Sequence, residues 1–212
     1  MKHRRSFCFP LVLAFAATLV SGGCEKVRYP RSYILNFPPP APHALPPPGA
    51  LGPLAIRPFH CPDYLCEGRI VYRPSPEEVG HYEYHRWAMN PRDEITQFVA
   101  NTLRASGLFR GVVIRERGIA ATYVMRGNID QLEEVDYGGG VRAVCRISAQ
   151  LLDAKTGSVL WSDTASEAVP VGERTVVGVV RSLSTAAQVT VQRLVDSLER
   201  QFGSRVRFPQ VP

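Results

Sequence analysis

No apolar run in this 212-residue sequence is long enough to cross a bilayer as a helix. The longest, Phe7 to Val20, has 14 residues and is interrupted by Pro10, against the roughly 20 that the hydrocarbon core requires. A permanent helical anchor is therefore not expected. Two local catalytic signatures are missing as well: there is no G-x-x-x-x-G-K-[ST] phosphate loop and no G-x-S-x-G nucleophile elbow. No Ser or Cys stands with an evident His and acid in order, so the reading is of a non-enzyme. Basic residues are present but form no stripe. The formal charge of +6 falls to +3 without Lys2, Arg4 and Arg5, and the remaining Lys and Arg are scattered among Asp and Glu. That excludes a nucleic-acid footprint and leaves only a mild attraction to anionic lipid.

What is present begins at the amino end. Lys2, Arg4 and Arg5 precede the apolar run, and Ser21, Gly22 and Gly23 lead into Cys24, the layout of a secretory leader over 1–23. The segment resembles the bacterial lipobox, with Ser21 where that pattern prefers Leu. The resemblance implies cleavage before Cys24 and lipidation of its thiol, with a plain secreted protein as the alternative. An anchor of three acyl chains, at about 0.8 kcal/mol per buried methylene, holds a protein on a membrane permanently. Glu25 follows the cysteine where inner-membrane retention usually has Asp, which points to the periplasmic face of the outer membrane. Residues 24–31 then form a tether of at most about 25 Å.

Beyond the tether, 45 % hydrophobic residues allow one domain, 32–212, to bury its own core. Cys61 and Cys66 bracket the short segment "CPDYLC"; in an oxidising compartment a local disulfide, two free thiols and a metal site are all open to them. Cys145 lies in an alternating pattern and reads as a small buried residue.

Strands are expected at 32–37, 54–59, 69–73, 81–89, 109–116, 122–137, 141–154 and 158–170, with hairpin connections among the last four. A Pro-rich loop fills 38–50 and serves as a spacer. Asn90, Pro91, Asp93 and Glu94 open a helix that Gly107 closes, with Ile95, Phe98, Val99 and Leu103 on one side. A second helix runs from Glu173 to Phe202, its stripe made of Val177, Val180, Leu183, Ala187, Val191, Leu194 and Leu198. The fold class that follows is α+β: a single domain whose mostly antiparallel sheet carries two amphipathic helices on one face and leaves the other free for a partner.

The segment "HYEYHRW" concentrates the side chains with chemistry to offer. His81, Glu83 and His85 are expected on one strand face. Neighbouring His on one face are about 7 Å apart and would need further ligands from elsewhere, so neither metal nor cofactor is assigned. Tyr82, Tyr84, Arg86 and Trp87, with Tyr64, instead suit a protein interface.

"SYILNF", "DYLCEGRIVYR", "HYEYHRWAMNPRDEITQFVANTLRASG" and "LWSDTASE", after a lipobox-like start, resemble the ABC-type transport auxiliary lipoprotein family, which includes the lipoprotein of the Pqi system. The cysteine pair around "PDYL" is a departure from that pattern. The resemblance implies a non-catalytic, membrane-anchored periplasmic lipoprotein that serves as adaptor to an Mce-type lipid transporter, whose ATPase and permease lie in the inner membrane. Two other classes compete with it: an envelope assembly lipoprotein gripping peptidoglycan or lipopolysaccharide, and a periplasmic hydrolase. The oligomeric state, homo-oligomer included, is left open.

Overall fold

The computed structural model describes residues 28–39, 46–66, 68–115 and 121–207, with side chains to residue 203. The expected leader over 1–23, Cys24 and residues 40–45 of the Pro-rich loop lie outside the described residues. In chain order the elements are β1 (Arg31–Tyr33), β2 (Leu54–Ile56), α1 (Asp63–Cys66), β3 (Arg69–Ser75), β4 (Glu78–Trp87), α2 (Pro91–Ser106), β5 (Val112–Ile114), β6 (Tyr123–Val135), β7 (Arg142–Asp153), β8 (Val159–Pro170) and α3 (Val176–Arg207).

Local chemistry sets the helix ends. Asn90 caps α2 through Oδ1, which accepts the Arg92 N–H at 2.9 Å, and Pro91 takes the first helical position, where a missing N–H costs nothing. Gly107 ends the helix in the left-handed region at φ 66°, a conformation glycine adopts without a Cβ penalty. Ile95, Phe98, Val99 and Leu103 are buried beneath α2. In α3 the buried stripe includes Val180, Leu183, Ala187, Val191, Leu194 and Leu198. Val177, expected to begin it, is 49 % exposed; four residues before Val180, on the same face, stands the part-buried Val176.

The sheet is α+β in setting and mixed in sense. The hairpins β3–β4, β6–β7 and β7–β8 are antiparallel. Four short pairings, β1–β4, β2–β5, β2–β6 and β3–β6, are parallel. The sheet forks at β6. One edge of β6 pairs with β7 along its length. The other is divided between β2, opposite residues 123–125, and β3, opposite 134–135, with an isolated bridge from His60 to Asn128 between them. The expected hairpin between β5 and β6 does not form, because β2 lies between the two and pairs parallel with both.

α3 packs on β7 and β8 and contacts α2. Ala143, Cys145 and Ala149 of β7 and Ala186 and Ala187 of α3 are small buried residues of the shared core. The helix comes close enough for the Thr190 hydroxyl to donate to the Cys145 carbonyl at 3.3 Å. Ile129, Leu132, Ile147, Leu151 and Leu183 are fully buried between the layers, each contributing about 1.5–3 kcal/mol by leaving water.

Two edges are blunted by helix side chains. Along β8, Gln201, Arg193 and Ser182 donate to the carbonyls of Leu160, Ser166 and Pro170; on β5 the Val112 carbonyl accepts from Arg104. Carbonyls occupied in this way offer less to an added strand. β1 is shorter than the 32–37 expected because its next N–H groups turn to the helices. Leu35 N donates to Glu94 Oε2 at 3.4 Å and Asn36 N to Ser184 Oγ at 3.0 Å. Among the described residues no helix is long and apolar enough to cross a membrane.

Candidate functional site

Alternation along β6 and β7 sends every second side chain away from α3. Cross-strand partners share a face, so Arg126 with Gln150, Asn128 with Ser148 and Gln131 with Arg146 lie on the helix-free side. Glu133 and Arg73 extend the same face toward β3. There the Arg73 guanidinium holds the fully buried Glu133 carboxylate with two N–H bonds, Nε to Oε1 at 2.9 Å and Nη2 to Oε2 at 3.2 Å.

The segment between β2 and β3 crosses this face. The Cys61 and Cys66 sulfurs are bonded at 1.97 Å, closing the loop that contains α1, and Leu65 pins it to the core with no exposed surface. Tyr64 is half-buried beside Arg73 and Glu133; burial first, and then the Glu133 charge, push its phenol above the usual value. The His81 Nε2–H donates to the Tyr64 carbonyl at 3.0 Å, which fixes that tautomer because a carbonyl can only accept.

On either side of the loop the face is recessed. Before it, a concavity of about 370 Å³ is lined by Arg57, His60, Arg126, Asn128, Ser148 and Gln150 among others. After it, a second of about 540 Å³ is lined by Gly68, Arg69, His81, Arg86 and Trp87. Arg69 and Arg86 are direct cross-strand neighbours. Neither recess is lined by a carboxylate among the described residues. In the first, the Ser148 hydroxyl accepts from Asn128 at 3.3 Å and the Arg126 Nε–H donates to Gln150 at 2.9 Å. Serine there is engaged by an amide, and among the described residues no hydrogen bond joins it to His60 of the same recess.

The expected face-sharing of His81, Glu83 and His85 fails. Between the registers Arg69↔Arg86 and Val71↔His81, β4 carries three more residues than β3, and this bulge breaks the alternation. His81 joins Arg69 and Arg86 in the recess, whereas His85 Nδ1 shares a hydrogen bond with the Tyr33 hydroxyl at 2.8 Å. Among the described residues no group of three or more His, Cys, Asp or Glu is arranged to hold a metal ion.

The side chains expected at a partner interface are dispersed. Trp87 is 7 % exposed and belongs to the core. Tyr82 turns inward, its hydroxyl donating to Glu134 Oε2 at 2.6 Å, and burial together with that bond pushes its phenol upward. The same burial raises the Glu134 carboxyl to about 7, against the opposing effect of the Tyr82 hydrogen bond. Tyr84 is half-buried with the Arg28 guanidinium 5.9 Å from its ring centre, and Arg86 is exposed. Arg57, Arg69, Arg126 and His60 were not legible as one site, because only strand pairing brings them together. The buried Cys145 thiol is pushed up to about 12 by loss of solvent and is unsuited to nucleophilic work.

The model of the family described as "ABC-type transport auxiliary lipoprotein component" matches residues 33–205. Among solved structures, protein XCC0632 from Xanthomonas campestris superposes with a TM-score of 0.71 at 20 % identity, over 84 % of this chain and 99 % of that one. An uncharacterized protein reaches a TM-score of 0.59 at 13 % identity, over 80 % and 99 %. The hypothetical protein CT253 from Chlamydia trachomatis reaches 0.50 at 10 % identity, over 73 % and 99 %. At these identities the likeness concerns the fold alone. No curated protein matches the sequence.

Proposed function

Because the chain belongs to the family of ABC-type transport auxiliary lipoprotein components, we propose that it is the membrane-anchored, non-catalytic adaptor of an Mce-type lipid transporter. The family match across 33–205 carries this reading. In it, Cys24 is acylated and holds the domain at the periplasmic face of the outer membrane. A chain without a nucleotide loop leaves the power stroke to an inner-membrane ATPase, and its own contribution is to confine the transporter's periplasmic end near a bilayer.

The proposed partner contact is the stretch of β4 before residue 85, which β1 leaves uncovered, with Tyr84 as its aromatic anchor; Arg86 and Tyr64, expected beside it, belong instead to the recessed face and its disulfide loop. Tyr82 and Trp87 hold the fold beneath that surface and are unsuited as contact residues. Crosslinking in intact envelopes followed by affinity capture tests the reading. An Mce-type protein or its permease recovered with the wild type, and lost in Tyr84→Ala with folding intact, is the expected result. Capture of peptidoglycan or lipopolysaccharide alone would replace the adaptor by an assembly factor.

A further inference from the structure

Four arginines far apart in the chain meet on the helix-free face of the sheet, two in each recess. Arg69 and Arg86 stand opposite each other across an antiparallel pair, where like charges repel. No acceptor or carboxylate among the described residues bonds either of them. Arg57 is likewise without a bonded partner there, and Arg126 is met only by the neutral Gln150 oxygen. The buried carboxylate on this face, Glu133, is already taken by Arg73. Among the described residues the two recesses therefore present guanidinium, imidazole, amide and hydroxyl donors with no carboxylate in their lining. Guanidinium forks suit phosphate oxygens, and each recess is of headgroup size.

The remaining lining argues against an acidic protein as occupant. Protein interfaces centre on apolar and aromatic anchors. None of the large exposed apolar side chains, such as Tyr29, Ile34, Met89 and Val159, lines either recess. We propose that this face seats on an anionic bilayer, with the phosphate of an acidic phospholipid in each recess and the disulfide-closed loop between them. The inference rests on the membrane-anchored reading above, since a tether of at most about 25 Å from Cys24 keeps the domain within reach of the surface.

The test uses the full chain in neutral detergent micelles at low salt, doped with phosphatidylglycerol or with phosphatidylcholine, and separately titrated with glycerol 3-phosphate. Fluorescence of Trp87, which borders the Arg69 recess, reports binding. Phosphatidylglycerol micelles are expected to bind, with affinity falling roughly thirtyfold for each pair, Arg69→Gln with Arg86→Gln or Arg57→Gln with Arg126→Gln. Arg181→Gln with Arg200→Gln, on the exposed side of α3, should leave it unchanged. If a double variant fails to fold, the single variants Arg69→Gln and Arg126→Gln carry the comparison. Equal binding to both lipids, indifference to the substitutions, or glycerol 3-phosphate binding as tightly as doped micelles would each overturn the proposal. An unmodified Cys24 thiol by intact mass, with micelle binding retained, would sink the anchor while leaving this face standing.

Discussion

Arg73 and Glu133 are joined side by side across β3 and β6 by two parallel N–H···O bonds, and the acid has no exposed surface while the base keeps 16 % of its own. The pair is enclosed by the disulfide loop, so each ion depends on the other for its compensation. Among the described residues, removing the guanidinium leaves a buried carboxylate with only the Gln131 amide as side-chain donor.

Arg73→Leu is accordingly expected to lower stability by about 3 kcal/mol, and Arg73→Leu with Glu133→Leu to recover most of it, because the cost lies in the orphaned charge. Urea denaturation of the wild type, both single variants and the double variant measures the difference. Equal destabilisation by the single and double changes would contradict this account.

At Glu134 burial raises the carboxyl and outweighs the Tyr82 hydrogen bond, which favours the charged form. Its folded-state value, about 7, lies above the ordinary 4.5, so the folded state binds its proton more tightly than the unfolded chain. The resulting stability is fully present below pH 4.5 and is lost as pH rises through 7. Unfolding midpoints from pH 5 to 8 should show this fall in the wild type and a smaller one in Glu134→Gln. Tyr82→Phe removes a donor that favours the charged form and should move the transition to higher pH.

The disulfide closes a loop of six residues, for which constraint of the unfolded chain is worth about 2 kcal/mol. Reduction, or Cys61→Ala with Cys66→Ala, should cost that much without abolishing folding, since Leu65 and the sheet core remain. Loss of the His81–Tyr64 hydrogen bond would appear as a changed His81 imidazole signal in the NMR spectrum.

Gly127 is the point where β6 admits an aromatic ring: a Cβ there would stand 2.6 Å from the Phe59 ring edge. Phe59 is buried and its N–H donates to Thr96 Oγ1 at 3.1 Å, which ties the segment after β2 to α2. Gly127→Ala is expected to cost about 1–3 kcal/mol through overpacking. Gly139→Ala probes the other origin of a glycine requirement, because space is open there while φ is 101°. Thermal denaturation of both variants separates steric from conformational cost.

Local patterns made the long elements readable. Alternation marked β6, β7 and β8, and the Asn90, Pro91 and Gly107 signals bounded α2 within a residue of its observed ends. Reading failed where a partner outside the window intervened. Glu94 and Ser184 drew the backbone of residues 35 and 36 away from β1. β2 separated β5 from β6, and the β4 bulge parted His81 from His85. The candidate face fared worst, since Arg57, Arg69 and Arg126 look in sequence like isolated charges among acids, and Arg86 was read with the aromatic residues of its own segment.

The chain alone determined the two long helices, the caps of α2, the long strands and the kinship of residues 33–205, because each depends on neighbours a few positions apart or on the order of residues itself; α1 and the continuation of α3 past Gly203 to Arg207 were not read from it. The tertiary structure decided which strands adjoin, and with that which charges share a face. Cross-strand register joins residues 17 positions apart, as between Arg69 and Arg86, and those pairings depend on the whole core closing together. A periodicity confined to one segment carries no information about them.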